Sequence, residues 1–281
     1  MTMLSWNGRL LPKDELCLSP SNRAFRYGDG LFETIRVSQG HPLWADRHFA
    51  RLTRGLHLLQ INPGNDWSES LFTNAVKELV SANHSETGNA RVRFSAFREE
   101  GGLYMPLGNA ISWLIESEKL DQEGFGLNNR GIHVKEYTGI RKGINQFSCI
   151  KSINAQLYVM ASLHKRESGS GDCLILNEEG NIIEATSSNI FTVRDKILFT
   201  PPLNQGCVEG IMRQIIIETA TENGFQVIEK PLDAGELEKA DECFLTNSIQ
   251  GIRWVGLYQN KRFYNALSRE LIPLLNAKAQ R

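Results

Sequence analysis

Residues 150–154 read Ile-Lys-Ser-Ile-Asn and place Lys151 between apolar neighbours, after a polar loop predicted over residues 138–148. The pattern that follows predicts a helix over residues 152–165. A lysine amine that is partly removed from water has a lowered pKa, which makes its neutral, nucleophilic form available. The alternative is a solvated lysine at the edge of a helix, the usual place for this residue type. The stretch therefore indicates a candidate nucleophile and leaves that alternative open.

The hydrophobic pattern on either side of this stretch predicts a mixed α+β chain in two domains. In the first half, residues 31–37, 91–97 and 110–115 are typical of strands, and residues 47–61 and 66–83 of helices. In the second half, short strands precede helices predicted over residues 209–223 and 264–278. We therefore expect a small mixed N-terminal domain over residues 1–119, a glycine-containing linker over 120–130, and a larger C-terminal domain over 131–281 with strands and flanking helices.

Composition narrows the class of protein. The 281 residues are 41% hydrophobic and 22% charged, with a formal net charge of −1, which gives no general attraction to nucleic acid or to an anionic membrane. The chain has no signal-peptide profile and no stretch of about 18 apolar residues, so neither secretion nor a membrane span is expected. The five scattered cysteines suit a reducing cytoplasm, and the six dispersed histidines have no metal-ligand spacing.

Two further features could carry chemistry. Glu184 ends a predicted strand and precedes a run of small polar residues, so it is either a solvated turn residue or a carboxylate that needs a cation or a protonated nitrogen nearby. Gly210 stands at the start of a long predicted helix, where unpaired amides favour an anion. The loop Thr246-Asn247-Ser248 offers similar hydroxyls and amides. For both of these segments, the alternative is an ordinary turn or helix start.

The sequence lacks the motifs of several common enzyme classes. There is no HExxH, no GxSxG, no Walker lysine and no GxGxxG. This absence disfavours a zinc hydrolase, an α/β-hydrolase and a nucleotide-binding enzyme.

Taken together, the segments resemble the class IV, or fold type IV, pyridoxal phosphate enzymes, which include branched-chain aminotransferases, D-amino acid aminotransferases and aminodeoxychorismate lyases. The resemblance covers nearly the whole chain in order, and no single segment decides it. The matching segments are WNG (6–8), RYGDGLFET (26–34), RHFARL (47–52), IKSIN (150–154), EATSSNIF (184–191), LFTPP (198–202), EGIMR (209–213) and DECFLTNS (241–248).

By this resemblance, Lys151 forms the Schiff base with pyridoxal phosphate and shuttles the proton. Glu184 would pair with the pyridine nitrogen, which keeps the ring able to accept electrons. The resemblance also implies that the phosphate is bound by Arg51, by the backbone amides of Ile211 and Met212, and by Ser248. Ser187 and Ser188 would lie near the ring.

One position departs from the branched-chain enzymes, which carry a tyrosine five residues after the lysine. Gln156 occupies that position here. Phe32-Glu33-Thr34 also lacks the glycine that often follows Phe-Glu in those enzymes. The Lys-Ser-Ile-Asn run is more similar to the D-amino acid aminotransferases and the lyases.

The resulting hypothesis is transamination between an amino acid and a 2-oxo acid, by a cytoplasmic homodimer of amino-acid metabolism. The alternative keeps the cofactor but eliminates pyruvate from 4-amino-4-deoxychorismate to yield 4-aminobenzoate. A further alternative is a catalytically inactive binding protein, which the joint presence of lysine, glutamate and arginine disfavours. The substrate carboxylate needs a cation or a hydroxyl, and the candidates are Arg93, Arg36, Tyr27 and Arg141.

Overall fold

The computed structural model describes residues 2–84 and 88–280, and these form two compact units. The first unit comprises Met1–Gly124 together with Ile150–Asn154, and the second comprises Phe125–Cys149 and Ala155–Arg281. The first boundary thus falls inside the linker predicted at residues 120–130. The short segment that carries Lys151 belongs to the first unit, whereas the sequence placed it in the C-terminal domain.

The residues of the predicted linker are held by the units on either side. In the first unit, Arg36 donates from Nη2 to the carbonyl oxygens of Gln122 at 2.6 Å and Gly124 at 2.5 Å. In the second unit, Phe125 is buried, and its backbone exchanges two hydrogen bonds with the side chain of Asn276. The predicted linker therefore contains the boundary between the two units, but these residues are hydrogen-bonded within one unit or the other and do not form a free connecting segment.

The first unit is an antiparallel sheet with two long helices packed on it. The elements are β1 (Met3–Trp6), β2 (Arg9–Pro12), α1 (Arg23–Tyr27), β3 (Gly30–Ser38), β4 (His41–Pro42), α2 (Ala45–Leu58), α3 (Glu69–His84), β5 (Ala90–Arg98) and β6 (Ile111–Lys119). The strand order is β2-β1-β6-β5-β3-β4.

The core of this unit lies between the sheet and the helices α2 and α3. Leu31 and Ile35 alternate along β3 toward the core, as expected for a strand with one buried face. Leu52 and Leu56 are four residues apart on α2 and complete the same core. Burial of the apolar stripe of each helix against the sheet therefore fixes β3, the strand beside which Lys151 lies.

Residues 151–153 pair with β3 as a short extended segment. The amide of Phe32 donates to the carbonyl oxygen of Lys151 at 2.9 Å, and the amide of Ile153 donates to that of Gly30 at 3.0 Å. The helix predicted from residue 152 accordingly begins later, as α4 (Gln156–Ser168). Because these residues use their backbone groups on the sheet, the prediction that Lys151 directly precedes a helix is wrong.

The second unit contains one large sheet that closes on itself. Besides α4, its elements are β7 (Ile132–Lys142), β8 (Asp172–Asn177), β9 (Ile182–Ala185), β10 (Asn189–Arg194), β11 (Ile197–Thr200), α5 (Ile211–Glu222), β12 (Val227–Glu229), α6 (Ala234–Glu238), β13 (Glu242–Asn247), β14 (Gly251–Tyr258), β15 (Lys261–Arg262) and α7 (Ala266–Ala279). The strand order is β12-β11-β10-β13-β14-β7-β8-β9, and β9 also pairs with β10, so the strands from β10 to β9 form a barrel.

The barrel closes through a single residue pair, Glu184 with Asn189, on either side of a tight turn. The turn is held by the amide of Ala185, which donates to the carbonyl oxygen of Ser188 at 2.7 Å. A second feature brings a charged residue toward this region: β7 continues to Lys142, which pairs with Asn177. The loop predicted over residues 138–148 is therefore shorter than expected, because its first residues extend the strand.

The helices of the described residues do not include a membrane-spanning one. Across residues 2–84 and 88–280, no helix has both the length and the apolar content that crossing a membrane requires.

We expect Gly30→Ala to displace the segment that carries Lys151. A Cβ at Gly30 would lie 2.6 Å from the carbonyl oxygen of Ala96 and 2.9 Å from Cδ1 of Ile153. Overpacking of this kind costs about 1–3 kcal/mol, measurable as a lower free energy of unfolding in urea. Gly143→Ala is the control, since its Cβ would meet its nearest atom, Nδ2 of Asn145, only at 3.4 Å. Equal stability of the two variants would contradict the packing argument.

Candidate active site

In the first unit, Lys151 and Arg93 share one aromatic ring. Nζ of half-buried Lys151 lies 4.4 Å from the ring centroid of Phe32, and Cζ of Arg93 lies 3.8 Å from the same centroid. Nε of Arg93 donates to Oγ of Ser95 at 3.2 Å, while its two Nη groups make no hydrogen bond to the described residues. This face of the sheet thus presents an amine together with a planar cation suited to a carboxylate.

Arg51 is fixed in a buried ionic network on the other face of β3. Its Nε donates to Oε1 of Glu33 at 2.8 Å, and its Nη2 bonds Oε2. Nδ1 of His48 lies 2.6 Å from Oε2 of the same carboxylate, and all three side chains are buried. Although burial alone raises the pKa of Glu33, the charge of Arg51 and the hydrogen bonds outweigh it and lower that pKa to about 2. Burial lowers the pKa of His48, so a neutral imidazole donates to Glu33.

The other predicted substrate residues lie in different surroundings. Arg36 is buried and bonded to the two carbonyl oxygens described above. Tyr27 ends α1, with its ring 5.5 Å from that of Tyr104 and 5.0 Å from the guanidinium of Arg23. Arg141 is exposed on β7 of the second unit and reaches the carbonyl oxygen of Glu178 at 3.4 Å.

In the second unit, Glu184 is buried where the barrel closes. Its Oε1 accepts hydrogen bonds from Nζ of Lys142 and from the hydroxyl of Tyr158, each at 2.7 Å. Its Oε2 accepts one from the amide of Val208 at 2.9 Å. The inward interpretation of Glu184 therefore agrees with the geometry, and the cation that it requires within the unit is Lys142.

The segment before α5 is hydrogen-bonded to the two residues at which the barrel closes, Glu184 and Asn189. Nδ2 of Asn189 donates to the carbonyl oxygen of Val208 at 2.8 Å, while the amide of Val208 bonds Glu184. Glycine at position 210 leaves room for Asn189, since a Cβ there would lie 1.9 Å from its Oδ1 and would force that side chain to move. No side chain caps the helix at Gly210. The first amides of α5, from Ile211 and Met212, therefore retain the capacity to bind an anion.

A buried hydroxyl lies beside this helix start. Thr246 pairs with Asn189 across β13 and β10, so the two side chains share a face of the sheet. Oγ1 of Thr246 is buried and has no hydrogen-bond partner among the described residues, which is unusual for a hydroxyl in a protein interior. Ser248 follows in the half-buried turn after β13, and Asn247 donates to Oγ of buried Ser188 at 3.0 Å. Ser187 is exposed.

Lys142, Tyr158 and Thr246 are among the residues of these clusters that sequence reasoning missed. Lys142 lay in a stretch predicted as loop, and nothing in its local pattern pointed to a carboxylate partner. The branched-chain enzymes carry a tyrosine at the position of Gln156, and Tyr158 lies two residues after it. From the first turn of α4, its hydroxyl reaches Glu184. The loop containing Thr246 was noted, but only Ser248 was assigned a role. Attention to every tyrosine near the lysine could have identified Tyr158.

Comparison with known proteins identifies the family of the chain. Residues 30–258 match the family Amino-transferase class IV. An aminodeoxychorismate lyase of Bacillus subtilis is 31% identical, with 88% of this chain and 83% of that protein covered. A D-alanine aminotransferase of Bacillus licheniformis is 27% identical, with 86% and 83% covered. The branched-chain aminotransferase of Thermobaculum terrenum in its pyridoxal phosphate form superposes with a TM-score of 0.87 at 23% identity. The superposition covers 100% of this chain and 94% of that one, and it shows that the two proteins share a fold.

The two-unit α+β fold is that of the fold type IV enzymes, and the predicted fold class is confirmed. The chain belongs to the class IV aminotransferase family.

Each unit contains groups of the kind that the family's cofactor, pyridoxal phosphate, requires. The first unit contains the amine of Lys151 and the cation of Arg51, which is bonded to Glu33. The second contains the buried carboxylate of Glu184, the start of α5 without a side-chain cap, and the hydroxyl of Thr246, which has no hydrogen-bond partner among the described residues.

We expect Glu33→Gln to lower stability at neutral pH by about 3–5 kcal/mol, because it leaves Arg51 buried without its counterion. The pKa of Glu33 in the folded protein is depressed from 4.5 to about 2. Its stabilisation is thus complete above the unfolded pKa and is lost as pH falls through the folded value. Urea unfolding at several pH values should show the variant and wild type converging as pH falls through this range.

The control is Glu118→Gln, which removes an exposed carboxylate paired with Arg91 on the neighbouring strand. Surface pairs contribute about 0–1 kcal/mol, so its stability should stay close to that of wild type. A Glu33→Gln variant as stable as this control at neutral pH would show that the network does not hold Arg51.

Proposed function

We propose that the protein transfers an amino group between an amino acid and a 2-oxo acid, with Lys151 as the residue that binds pyridoxal phosphate covalently. The observation that carries the proposal is the arrangement of Lys151, Phe32 and Arg93 on one face of the first unit. It provides an amine for acid–base chemistry and, beside it, a guanidinium whose two Nη groups make no hydrogen bond to the described residues and so suit the substrate carboxylate. Membership of the class IV family supports the same chemistry.

The side chains would divide the work as follows. Bound pyridoxal phosphate supplies a carbonyl that condenses with amines and a ring that accepts electrons. Nζ of Lys151 would take the proton from the substrate α-carbon as a base and give it back as an acid. Arg93 binds the substrate carboxylate, and the half-buried ring of Phe32 keeps both cations from turning into water.

Further residues would hold the cofactor itself. Glu184 accepts a hydrogen bond from the ring nitrogen, and Ser187 and Ser188 lie near the ring. The phosphate is bound by Arg51, by the amides of Ile211 and Met212, by Ser248 and, in addition to the residues predicted from sequence, by Thr246. These assignments are supported by the burial of Glu184 and Arg51 and by the uncapped start of α5.

A second candidate function is release of pyruvate from 4-amino-4-deoxychorismate. It is favoured by the 31% identity with the Bacillus subtilis lyase over 88% of this chain. Gln156, in place of the tyrosine of branched-chain enzymes, fits the same alternative. Both reactions need a base at Lys151 and a carboxylate at Glu184, so they differ in the fate of the substrate and not in these residues.

The enzyme would act as a cytoplasmic homodimer. The five cysteines are all free thiols, as expected in a reducing compartment. The first unit exposes a run of large apolar side chains, Leu103, Tyr104, Met105 and Leu107, each at least 73% exposed. A patch of this kind is typical of a surface that another chain covers. Size-exclusion chromatography coupled to light scattering tests the dimer.

Replacing Lys151 by alanine should abolish covalent binding of pyridoxal phosphate. After borohydride reduction, wild type should carry the cofactor on the peptide that contains residue 151, as seen by mass spectrometry, whereas Lys151→Ala should carry none there. Lys119→Ala, which removes an exposed lysine of the same unit, is the control and should be labelled like wild type. Labelling of another lysine with full activity of Lys151→Ala would refute the assignment.

Substrate assays should separate the two reactions. We expect the holoenzyme to convert an amino acid with 2-oxoglutarate into a 2-oxo acid and glutamate, and Arg93→Gln to raise KM by about tenfold or more, since a charge-assisted bidentate contact contributes about 1.5–3 kcal/mol. Arg141→Gln, exposed on the second unit, serves as the control. Release of pyruvate from 4-amino-4-deoxychorismate, without amino transfer to any 2-oxo acid, would establish the lyase instead.

A further inference from the structure

The buried carboxylate of Glu184 is joined to two residues that no role has yet been given. Nζ of Lys142 donates both to Oε1 of Glu184 at 2.7 Å and to the hydroxyl of Tyr158 at 2.8 Å. The same hydroxyl donates to Oε1 at 2.7 Å. The three groups therefore form a closed triangle between the end of β7, the start of α4 and the end of β9.

The triangle limits what Glu184 can still accept. An ionised carboxylate offers about four acceptor sites, two on each oxygen. Lys142 and Tyr158 fill both sites of Oε1, and the amide of Val208 fills one site of Oε2. One acceptor site remains, and it lies on Oε2. A nitrogen that bonds Glu184 thus has a single direction of approach.

The triangle also changes the charge that such a nitrogen meets. The side chains of Lys142 and Glu184 are only 13% and 4% exposed, so water screens their interaction weakly. As a pair they have no net charge, and the pair attracts a protonated nitrogen less than a lone carboxylate would. Burial, reinforced by Glu184, raises the pKa of Tyr158 well above its usual range, so its hydroxyl remains a neutral donor.

The other titratable groups near this carboxylate do not change the net charge of the Lys142–Glu184 pair and its surroundings. Burial raises the pKa of Cys149, and burial together with Glu184 raises the pKa of Cys207 to about 12, so both are neutral thiols. Glu209 and Arg213 also act on Cys149, with opposite signs. Lys142 is the cation in hydrogen-bond contact with Glu184 among the described residues.

We propose that Lys142 and Tyr158 are positioning residues that act through Glu184: they leave it one open acceptor site and reduce its attraction for the protonated ring nitrogen of pyridoxal phosphate. The inference rests on the proposed function, because it requires that Glu184 faces that ring. Lys142 would then set how readily the bound cofactor is protonated, and Tyr158 would fix the direction from which Glu184 is approached.

The test is the pH dependence of the absorption spectrum of the full-length protein reconstituted with pyridoxal phosphate. Lys142→Met removes a cation, so the spectral transition of the bound cofactor should move to higher pH by about one unit, a tenfold change in the proton dissociation constant. Lys142→Arg keeps the charge and should restore the wild-type midpoint. Tyr158→Phe removes a neutral donor and should move the midpoint in the same direction by about threefold.

The matched control is Lys278→Met, which breaks a lysine–carboxylate pair with Glu222 at the far end of α5 and should leave the midpoint unchanged. A Lys142→Met midpoint equal to that of wild type, or a shift that Lys278→Met shares, would overturn the inference. If Lys142→Met does not retain the cofactor, the decision falls to Tyr158→Phe, and an unshifted midpoint in that variant overturns it. A wild-type protein that gives no cofactor spectrum would instead refute the proposed function, and the inference with it.

Discussion

Burying the carboxylate of Glu184 requires donors that replace water, and three separate elements of the second unit supply them. Lys142 comes from the end of β7, Tyr158 from the start of α4, and the amide of Val208 from the segment before α5. Each donor is lost if its element moves, and an incompletely paired buried charge is strongly destabilising. The carboxylate therefore connects the closure of the barrel at β9 to the start of α4 and to the segment that precedes α5.

The first unit uses the same principle at Arg51. Its guanidinium is buried, and Glu33 on β3 neutralises it while His48, one turn earlier on α2, donates to the same carboxylate. Strand and helix are thus joined by a charged network as well as by the apolar core. Because side chains alternate along a strand, Glu33 and Phe32 point to opposite faces of β3, and Lys151 lies against the ring of Phe32.

Much of this was predictable from local pattern, and the remainder depends on contacts between distant residues. The long helices could be predicted from the spacing of apolar residues in the sequence, and α5 and α7 lie close to their predicted ranges. Hydrophobic periodicity carries no information about the pairing of residues 151–153 with β3, so a helix was predicted too early. Lys142 and Tyr158 were missed for a related reason: their shared partner, Glu184, is 42 and 26 residues away.

The geometry of the arginines explains why one of them suits a substrate carboxylate. A guanidinium binds a carboxylate best with two N–H groups in one plane. Arg36 directs its Nη2 at two backbone carbonyl oxygens and is buried, so binding a ligand would cost it those bonds. Arg93 has its Cζ 3.8 Å from the ring centroid of Phe32, and among the described residues only its Nε is hydrogen-bonded, so under the proposed function its two Nη groups could bind a carboxylate without breaking another bond. A cation in this position would discriminate substrates by the position of their carboxylate relative to Lys151, which lies against the same ring.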